Sequence, residues 1–286
     1  MSSATLSPAR STSRGQRLDR GFGGQGQPQT PDRAAVPTVS VVIPAKNEAQ
    51  NIGWVLSRLP AELDEVILVD SSDDGTAEVA ASQRADLIVV DDPGCGKGAA
   101  LRAGFAAASG DYIVMLDADC SMDPAEIDRF VGGLLGGFDM VKGSRSIKGG
   151  GSADLSPLRR AGNRVLTSFV NVLYGVSFTD LCYGFFAFRR DCLPTLAVCA
   201  TGFEIETELV VCAINSGLHT AEVPSFEEAR RHGESNLNTF RDGTRVLRTL
   251  IAKRFARTAT RGKPPAGRGA PTNLAFFAPE AAPQPA

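Results

Sequence analysis

Three carboxylates stand close together in the stretch VMLDADCSMDP, directly after an apolar run. Asp117 and Asp119 flank Ala118, and in an extended segment residues i and i+2 point to the same side. The two carboxylates can therefore converge on one cation, and hard oxygen ligands suit Mg²⁺ or Mn²⁺. The alternative is that they are turn and capping residues, because D-x-D often occurs by chance. Asp123 stands directly before Pro124, which is typical of a helix N-cap.

Strand-like and helix-like segments alternate along the first half of the region between the two chain ends. We predict strands at 39–43, ended by Pro44, and in EVILVD, ADLIVVD, DYIVMLDAD and FDMVKGSR. Helices are predicted in EAQNIGWVLSRL, GTAEVAASQ, GKGAALRAGFAAASG and DPAEIDRFVGGLL. This order predicts an α/β fold with a mostly parallel sheet and helices on both faces. Ligands of such sheets bind at the carboxyl ends of the strands, where Asp70, Asp117 and Asp119 fall.

The second half of the central region is less regular. We predict a helix around 158–173, a strand near 184–188, a helix at 204–215 and a strand at 219–223. A final amphipathic helix is predicted over 237–257, with four apolar residues on one side: Val246, Leu247, Leu250 and Ile251.

The two ends of the chain differ in composition from its middle. Residues 1–36 are rich in Ser, Gly, Gln, Arg and Pro, and residues 258–286 in Pro, Gly and Ala. We predict that both ends are disordered, because they have few large apolar residues to offset the entropy of ordering. We therefore predict one folded domain, which spans residues 37–257.

Charge is distributed unevenly along the chain. The whole chain has a formal charge of −2, whereas residues 37–235 carry −12 and both ends are basic. An acidic body argues against nucleic acid as a partner. The basic final helix either lies on an anionic membrane surface or is an ordinary packed helix with a solvated face.

Cysteine and histidine usage excludes several classes of site. Six cysteines are scattered without C-x-x-C spacing, and the chain has only two histidines. A disulfide framework, a zinc knuckle and a histidine-rich metal site are therefore not expected. The N-terminus has no apolar signal region, and no apolar run is long enough to span a membrane. We expect a cytoplasmic protein, and peripheral contact with the inner membrane face stays open.

Eight stretches together carry a resemblance to a known family: VSVVIPAKNE, VDSSDDGTAEVA, GKGAALRAGF, GDYIVMLDAD, KGSR, DLCYGFFAFRR, GFEIETEL and EVPSFEEARRHGES. Residues 38 to about 255 resemble a family 2 glycosyltransferase of the GT-A fold, close to the dolichol-phosphate mannose synthases. The resemblance implies a metal-dependent hexosyltransferase that takes a sugar from a nucleoside-diphosphate sugar with inversion. It favours a polyprenyl phosphate as acceptor and Mg²⁺ or Mn²⁺ as cofactor.

The resemblance implies a nucleotide site at the ends of the first strands. Pro44 and Glu48 match positions that hold the base, and Asp70 matches one near the ribose. Lys46 stands between them where the synthases usually have Tyr. The stretch PGCGKGAA lacks the spacing of a P-loop, so Lys97 is predicted to lie near the donor phosphates on a glycine-rich loop.

The resemblance also implies the residues around the transferred sugar. Asp117, Ala118 and Asp119 match the D-x-D that binds the nucleotide sugar and its metal, and Asp119 is a candidate catalytic residue. Arg145 and Arg230 match arginines that contact phosphate, a role that suits guanidinium groups. The sequence departs from the family pattern at two further positions. Ser121 stands where a metal-proximal Gln is common, and Asn236 stands where Lys is usual.

The sequence leaves two kinds of acceptor possible, a hydroxyl compound or a phosphate. Asp180 is a candidate general base for a hydroxyl acceptor, whereas a phosphate acceptor needs no base. The alternative is that Asp180 is a turn residue that holds backbone amides. Arg159 and Arg160 are candidates for an acceptor phosphate, or else charges on a solvated helix surface. The acceptor is therefore a polyprenyl phosphate or a small hydroxyl compound.

Two rival functions remain from the residues. A nucleotide-sugar-binding relative without catalysis is kept open by the departures at Lys46, Ser121 and Asn236. A nucleotidyltransferase also uses strand-end acids and a metal, but PAKNE occupies the position where its glycine-rich triphosphate loop is expected.

Overall fold

The computed structural model describes residues 36–233, 239–256 and 275–276. Ten strands lie within these residues, and eight of them form one sheet while β6 and β9 form a small second sheet. The strands are β1 (Val39–Ala45), β2 (Glu65–Asp70), β3 (Ile88–Asp91), β4 (Tyr112–Met115), β5 (Met140–Ser144), β6 (Gly151–Ser152), β7 (Phe186–Arg189), β8 (Thr220–Pro224), β9 (Phe226–Glu227) and β10 (Ala275–Phe276).

Eight α-helices connect these strands in the described part of the chain. They are α1 (Ile52–Ser57), α2 (Thr76–Gln83), α3 (Lys97–Ala107), α4 (Ile127–Leu135), α5 (Pro157–Tyr174), α6 (Leu193–Leu196), α7 (Ile205–Ser216) and α8 (Thr239–Ala256). None of them is both long and apolar enough to cross a membrane. The structure contains every strand and helix that the sequence predicts, and adds α6, β6, β9 and β10.

The main sheet has the order β10-β8-β5-β7-β4-β1-β2-β3 and is parallel except at β7. The predicted mostly parallel sheet is thereby confirmed. Because β7 is antiparallel to β4, its first residue, Phe186, lies opposite Met115, the last residue of β4. The segment before β7 therefore lies at the carboxyl edge of the sheet, beside the loop that follows β4.

The first strand is longer than predicted, because it continues through Pro44 to Ala45. Val42 O accepts a hydrogen bond from Leu116 N. The backbone N–H and C=O groups of every second residue of β1 therefore point towards β4, and Pro44 is one of these residues. The ladder with β4 ends at Val42. The missing N–H of Pro44 thus points beyond the end of β4, where no ladder bond is lost.

Both faces of the sheet are covered, as the sequence predicts. Val42 and the other residues that point to one face pack with α3, α5, α7 and α8. Val41 and Ile43 point to the opposite face, where they pack with α1, α2 and α4. This alternation follows from the two-residue repeat of a strand.

Helix α8 differs from its predicted amphipathic pattern. Val246 and Leu250 are buried, whereas Leu247 and Ile251 are 38% and 43% exposed. The helix packs against α5 and α7 along one edge, so only part of the apolar side predicted from the sequence reaches the core. The predicted disordered ends lie outside the described residues, except for Val36 and β10, and stay a prediction.

Candidate functional site

Asp117 and Asp119 lie in a loop rather than on a strand. β4 ends at Met115, and the chain turns sharply at Cys120, whose φ of +66° lies in the left-handed region that non-glycine residues rarely adopt. Within this turn, Ser121 N donates to Asp119 Oδ1 at 3.0 Å. Both carboxylates line one cavity, but each meets a different basic side chain.

Lys97 connects Asp117 to an acid from the second half of the chain. Its Nζ lies 2.7 Å from Asp117 Oδ1 and 2.9 Å from Glu206 Oε1, at the start of α7. Burial lowers the pKa of Lys97, but the two carboxylates outweigh it and raise that pKa above its ordinary value. Burial also raises the pKa of Asp117 to about 6, against the opposing effect of Lys97. Lys97 therefore holds the first acid of the pair in place.

Arg230 makes the corresponding contact with the second acid. Its Nη2 lies 2.6 Å from Asp119 Oδ2, and its Nη1 lies 3.1 Å from Glu48 Oε1. Burial raises the pKa of Glu48, although hydrogen bonds from Asn51 and Arg230 lower it. One guanidinium thus joins the loop after β1 to the loop after β4.

Arg145 is held by contacts within the protein. Its Nε and Nη2 form a fork with Asp180 at 2.7 and 3.0 Å, its Nη1 contacts both oxygens of Glu227, and its Nη2 also donates to Cys182 O. These five hydrogen bonds equal the number of N–H groups on a guanidinium. Its Cζ lies 4.7 Å from the ring centroid of Tyr183. This geometry favours a structural role over the predicted phosphate contact.

Asp180 is fully buried and does not line the cavity. Besides the fork with Arg145, it accepts hydrogen bonds from Arg145 N at 3.1 Å and from Asn163 Nδ2 at 2.9 Å. Burial disfavours its ionised form, but Lys142 and Arg145 outweigh burial and lower its pKa to about 2. A general base must reach the acceptor proton, so the geometry favours the structural alternative for Asp180.

The cavity has a volume of about 540 Å³ and two chemically different walls. One wall carries Lys97, Asp117, Asp119, Glu206 and Arg230, so it combines acids with cations. The other wall comes from α5, α8 and the loop before α5. It has six apolar residues, Leu155, Leu158, Val165, Leu166, Val246 and Leu247, beside the polar residues Asp154, Arg159, Asn163, Asp242 and Thr244. The wall at the strand ends is therefore charged, and the opposite wall is rich in apolar residues.

Of the residues predicted to bind the nucleotide sugar, Lys97, Asp117, Arg145 and Arg230 line this cavity, whereas Pro44, Lys46, Glu48, Asp70 and Ala118 do not. Ala45 and Asp70 are register partners at the ends of β1 and β2, so Lys46 follows directly at this edge and is exposed. Asp70 accepts a hydrogen bond from the Ser72 hydroxyl at 2.5 Å. Pro44 is half-buried at the same edge, and Ala118 is buried between the two acids.

The two arginines on α5 that are candidates for binding an acceptor phosphate differ in position. Arg159 lines the cavity, whereas Arg160 is exposed outside it.

Asp123 caps the turn before α4 by accepting from Ala125 N at 3.0 Å, and it pairs with Arg58 at 2.5 Å. The predicted capping role of Asp123 is confirmed.

Sequence reasoning missed several residues of this site. The site residues predicted from the sequence do not include Glu206, Glu227, Asn163 or Tyr183. The blocks GFEIETEL and EVPSFEEARRHGES contain both acids, but their sequence contains no signal for which cation each acid meets.

The donor set of Asp117 and Asp119 fits a hard divalent cation that is shared with a diphosphate. No cluster of three or more His, Cys, Asp or Glu suited to a metal occurs in the part of the chain that is described. Mg²⁺ and Mn²⁺ commonly use one or two carboxylates and complete their coordination with water and phosphate oxygens. Two cavity-lining carboxylates are consistent with that arrangement.

A mostly parallel sheet with strand-end acids above an open cavity is the architecture of the GT-A glycosyltransferases. The structure of glucosyl-3-phosphoglycerate synthase from Mycobacterium tuberculosis, solved with Mn²⁺, uridine diphosphate and glucosyl-3-phosphoglycerate, matches it with a TM-score of 0.59 and 26% identity. That match covers 76% of this chain and 80% of the synthase. The chain belongs to glycosyl transferase family 2, whose family model matches residues 40–196. The predicted fold and family are both confirmed.

Relatives in the family include several transferases named for lipid phosphates. The low-salt glycan biosynthesis hexosyltransferase Agl6 of Haloferax volcanii is 37% identical over 77% of this chain, which spans only 54% of Agl6. The dolichyl-phosphate hexose transferase of the same organism is 31% identical, and the match covers 74% of this chain and 92% of the relative. The undecaprenyl-phosphate 4-deoxy-4-formamido-L-arabinose transferase of Pseudomonas fluorescens is 31% identical over 71% of this chain and 61% of its own length.

Proposed function

We propose that this protein transfers a sugar from a nucleoside-diphosphate sugar to a polyprenyl phosphate, with inversion at the anomeric carbon. The observation that carries the proposal is the two-sided cavity. Its charged wall suits a sugar diphosphate, and its apolar wall on α5 and α8 suits an isoprenoid chain. Relatives named for dolichyl and undecaprenyl phosphates support this acceptor class.

The donor is proposed to bind at the charged wall. The base and ribose lie over the loops after β1 and β2, near Lys46, Glu48 and Asp70, and the diphosphate lies near Asp117 and Asp119. Lys97 and Arg230 already contact these acids, so both cations stand close to the negative charge that develops on the leaving diphosphate. Their role is to stabilise that charge and to orient the donor.

A divalent cation is the proposed cofactor, held by Asp117 and Asp119, and when bound it supplies positive charge that neutralises the leaving diphosphate. Mn²⁺ in the related synthase structures supports this cofactor. The chain's own residues hold the two carboxylates ready, because Lys97 and Arg230 fix their positions.

A phosphate acceptor agrees with the burial of Asp180. An oxygen of the acceptor phosphate forms the new bond to the anomeric carbon while the bond to the diphosphate breaks, and no proton has to be removed. Asp180 would be needed as a base for a hydroxyl acceptor, but it is enclosed by Arg145 and Asn163. On the acceptor side, Arg159 lines the cavity and is the candidate for the acceptor phosphate.

Transfer to a small hydroxyl acceptor is the second candidate function. It is favoured by the similarity to glucosyl-3-phosphoglycerate synthase, which is named for a glucosylated phosphoglycerate. The apolar wall of the cavity is the observation that weighs against it.

The proposed function is tested with the purified full chain and a panel of nucleoside-diphosphate sugars, with Mg²⁺ or Mn²⁺. Each donor is incubated with polyprenyl phosphate or with 3-phosphoglycerate, and the products are identified by mass spectrometry. We expect glycosyl phosphoryl polyprenol. Transfer only to 3-phosphoglycerate would overturn the acceptor assignment, and donor binding without any turnover would favour the non-catalytic relative.

The metal role is tested with Asp119→Asn and a matched control, Asp123→Asn. Asp119 lines the cavity, whereas Asp123 is a helix cap beside Arg58. We expect Asp119→Asn to lose metal-stimulated turnover by at least about 100-fold, and Asp123→Asn to keep it. Full metal-stimulated activity of Asp119→Asn would contradict the assignment.

A further inference from the structure

Helix α5 exposes an unusually apolar stripe on the side that faces away from the core. Leu158, Val165, Phe169 and Val172 follow one another at spacings of seven, four and three residues, which puts them on one helical face. Their exposed fractions range from 37% at Phe169 to 87% at Val172. The opposite face of α5 packs inward through Asn163, Thr167, Val170 and Tyr174. The exposed stripe is therefore not part of the hydrophobic core.

Helix α8 carries a second exposed apolar stripe. Leu247, Ile251 and Phe255 recur every four residues and are 38%, 43% and 74% exposed. They lie next to the buried residues Val246 and Leu250 on the helix circumference.

Helices α5 and α8 pack against each other. Tyr174 OH donates to Leu250 O at 2.8 Å, and Arg254 Nε donates to Leu173 O at 3.2 Å. Leu158, Val165 and Leu247 also line the cavity. The stripes form one apolar surface that continues into the cavity, and we call their seven residues the α5/α8 apolar surface.

The charges that α5 and α8 themselves carry are almost all positive. Helix α5 carries Arg159, Arg160 and Arg164 and no acid, and α8 carries five basic residues and one acid, Asp242. Asp242 is 7% exposed, so it contributes little negative charge at the surface. Arg164 and Arg248 are exposed beside the stripes, whereas Arg160 is exposed on the side of α5 opposite its stripe. The rest of the folded region is strongly acidic, with −12 over residues 37–235 although α5 lies within that range.

We propose that the α5/α8 apolar surface docks onto an anionic lipid bilayer, with its apolar side chains in the interface and the flanking arginines on lipid phosphates. An apolar stripe edged by basic residues is the pattern of helices that lie in a membrane interface. Docking would open the apolar wall of the cavity towards the membrane that holds a polyprenyl phosphate. The purpose of this docking therefore rests on the proposed function.

A second copy of this chain is a less suitable occupant. A two-fold interface pairs the same patch with itself, so the basic flanks of α5 and α8 would face an identical basic patch. An anionic lipid surface compensates that charge, whereas a second copy adds to it.

The test is co-sedimentation of the full chain with vesicles, in the absence of donor and acceptor. Vesicles of phosphatidylcholine alone are compared with vesicles that contain about 30% phosphatidylglycerol, which have the negative surface that attracts basic segments. We expect binding to the anionic vesicles that weakens in high salt. Val172→Asp and Ile251→Asp are expected to lower the partition coefficient by about tenfold or more, because each brings a charge into the interface.

Leu135→Asp is the matched control, because Leu135 is 60% exposed at the end of α4, outside this surface. We expect it to bind vesicles like the wild type. All three variants are also checked by circular dichroism, and for turnover with a short-chain, water-soluble polyprenyl phosphate, which we expect to persist because Val172 and Ile251 do not line the cavity.

The proposal is overturned if the wild type does not bind anionic vesicles, if folded Val172→Asp and Ile251→Asp bind as well as Leu135→Asp, or if the stripe variants abolish a wild-type dimer instead. Vesicle binding without any transfer to polyprenyl phosphate would overturn the proposed function and leave the docking surface standing. Transfer to the short-chain acceptor without vesicle binding would do the reverse.

Discussion

Arg230 Nη2 lies 2.6 Å from Asp119 Oδ2, although 111 residues separate the two in sequence. The same guanidinium contacts Glu48 at 3.1 Å, so it joins the turn after β4, the loop after β1 and the segment after β9. Lys97 makes the equivalent bridge between Asp117 and Glu206. Each acid of the D-x-D is thus positioned by its own cation.

Arg230→Gln is expected to weaken donor binding. The change removes the cation between Glu48 and Asp119, and with it a charge-assisted contact for the diphosphate. We expect the Kd of a nucleoside diphosphate, measured by isothermal titration calorimetry, to rise about tenfold or more. Arg84→Gln is the control, because Arg84 pairs only with Asp86 at the surface. Equal affinity in Arg230→Gln and the wild type would show that this contact does not serve the donor.

Asp180→Asn is expected to destabilise the fold. Arg145 and Lys142 are buried around Asp180, and loss of its charge removes part of the negative charge that compensates them. We expect the free energy of unfolding, measured with urea, to fall by about 3–5 kcal/mol. Asp86→Asn, a surface change, should leave it near the wild-type value. A fully stable Asp180→Asn whose kcat alone collapses would support a general base instead.

Acid should remove the stabilising effect of Asp180. Its folded-state pKa of about 2 lies below the ordinary value of 3.8, so its contribution is complete above about pH 4 and is lost as the pH falls through 2. Such a shift corresponds to roughly 2 kcal/mol of stability. The difference in unfolding free energy between the wild type and Asp180→Asn should therefore shrink by roughly 2 kcal/mol between pH 4 and pH 2. A difference in stability that stays constant over this range would contradict the ionised, buried carboxylate.

Donor binding is expected to change the fluorescence of Trp54, the only tryptophan. Two guanidinium groups contact its ring, with Arg231 Cζ at 4.4 Å and Arg58 Cζ at 5.1 Å from the centroid. Arg231 follows Arg230, so a shift of Arg230 from Asp119 towards a diphosphate should alter this stack. The emission change should saturate with nucleoside diphosphate and be smaller in Arg231→Gln. Saturated binding by calorimetry with unchanged emission would mean that the segment does not move.

Gly98→Ala is expected to disturb the position of Lys97. A Cβ at Gly98 would lie 2.6 Å from Ala200 O and 2.8 Å from Thr201 C, which are backbone atoms. We expect a loss of about 1–3 kcal/mol in unfolding free energy and weaker donor binding. Gly132→Ala on α4 is the control, because a Cβ there meets nothing within 4 Å. That change should be neutral or stabilise by up to about 1 kcal/mol, and equal losses in both variants would refute the steric explanation.

Much of the fold could be predicted because its signals are local. The strands and helices of the first half follow from apolar periodicity and turn residues, which act over a few residues. The extension of β1 through Pro44 could not be predicted in this way, because it depends on where the neighbouring strand β4 ends. The exposure of Leu247 and Ile251 depends similarly on the narrow contact of α8 with its neighbours.

The residue types of the site were readable from sequence, and their partners were not. The acids Asp117 and Asp119, the cap Asp123 and the glycine-rich segment before α3 are all local patterns, and together with the family blocks they indicate a sugar transferase. Tertiary packing alone decided that Lys97 meets Asp117 and Glu206, that Arg230 meets Asp119, and that Asp180 is enclosed. The physical reason is that each pairing joins loops from distant parts of the chain, which only the assembled sheet brings together. Burial, which sets the pKa of Asp180 and the exposure of the α5/α8 apolar surface, is likewise a property of that packing.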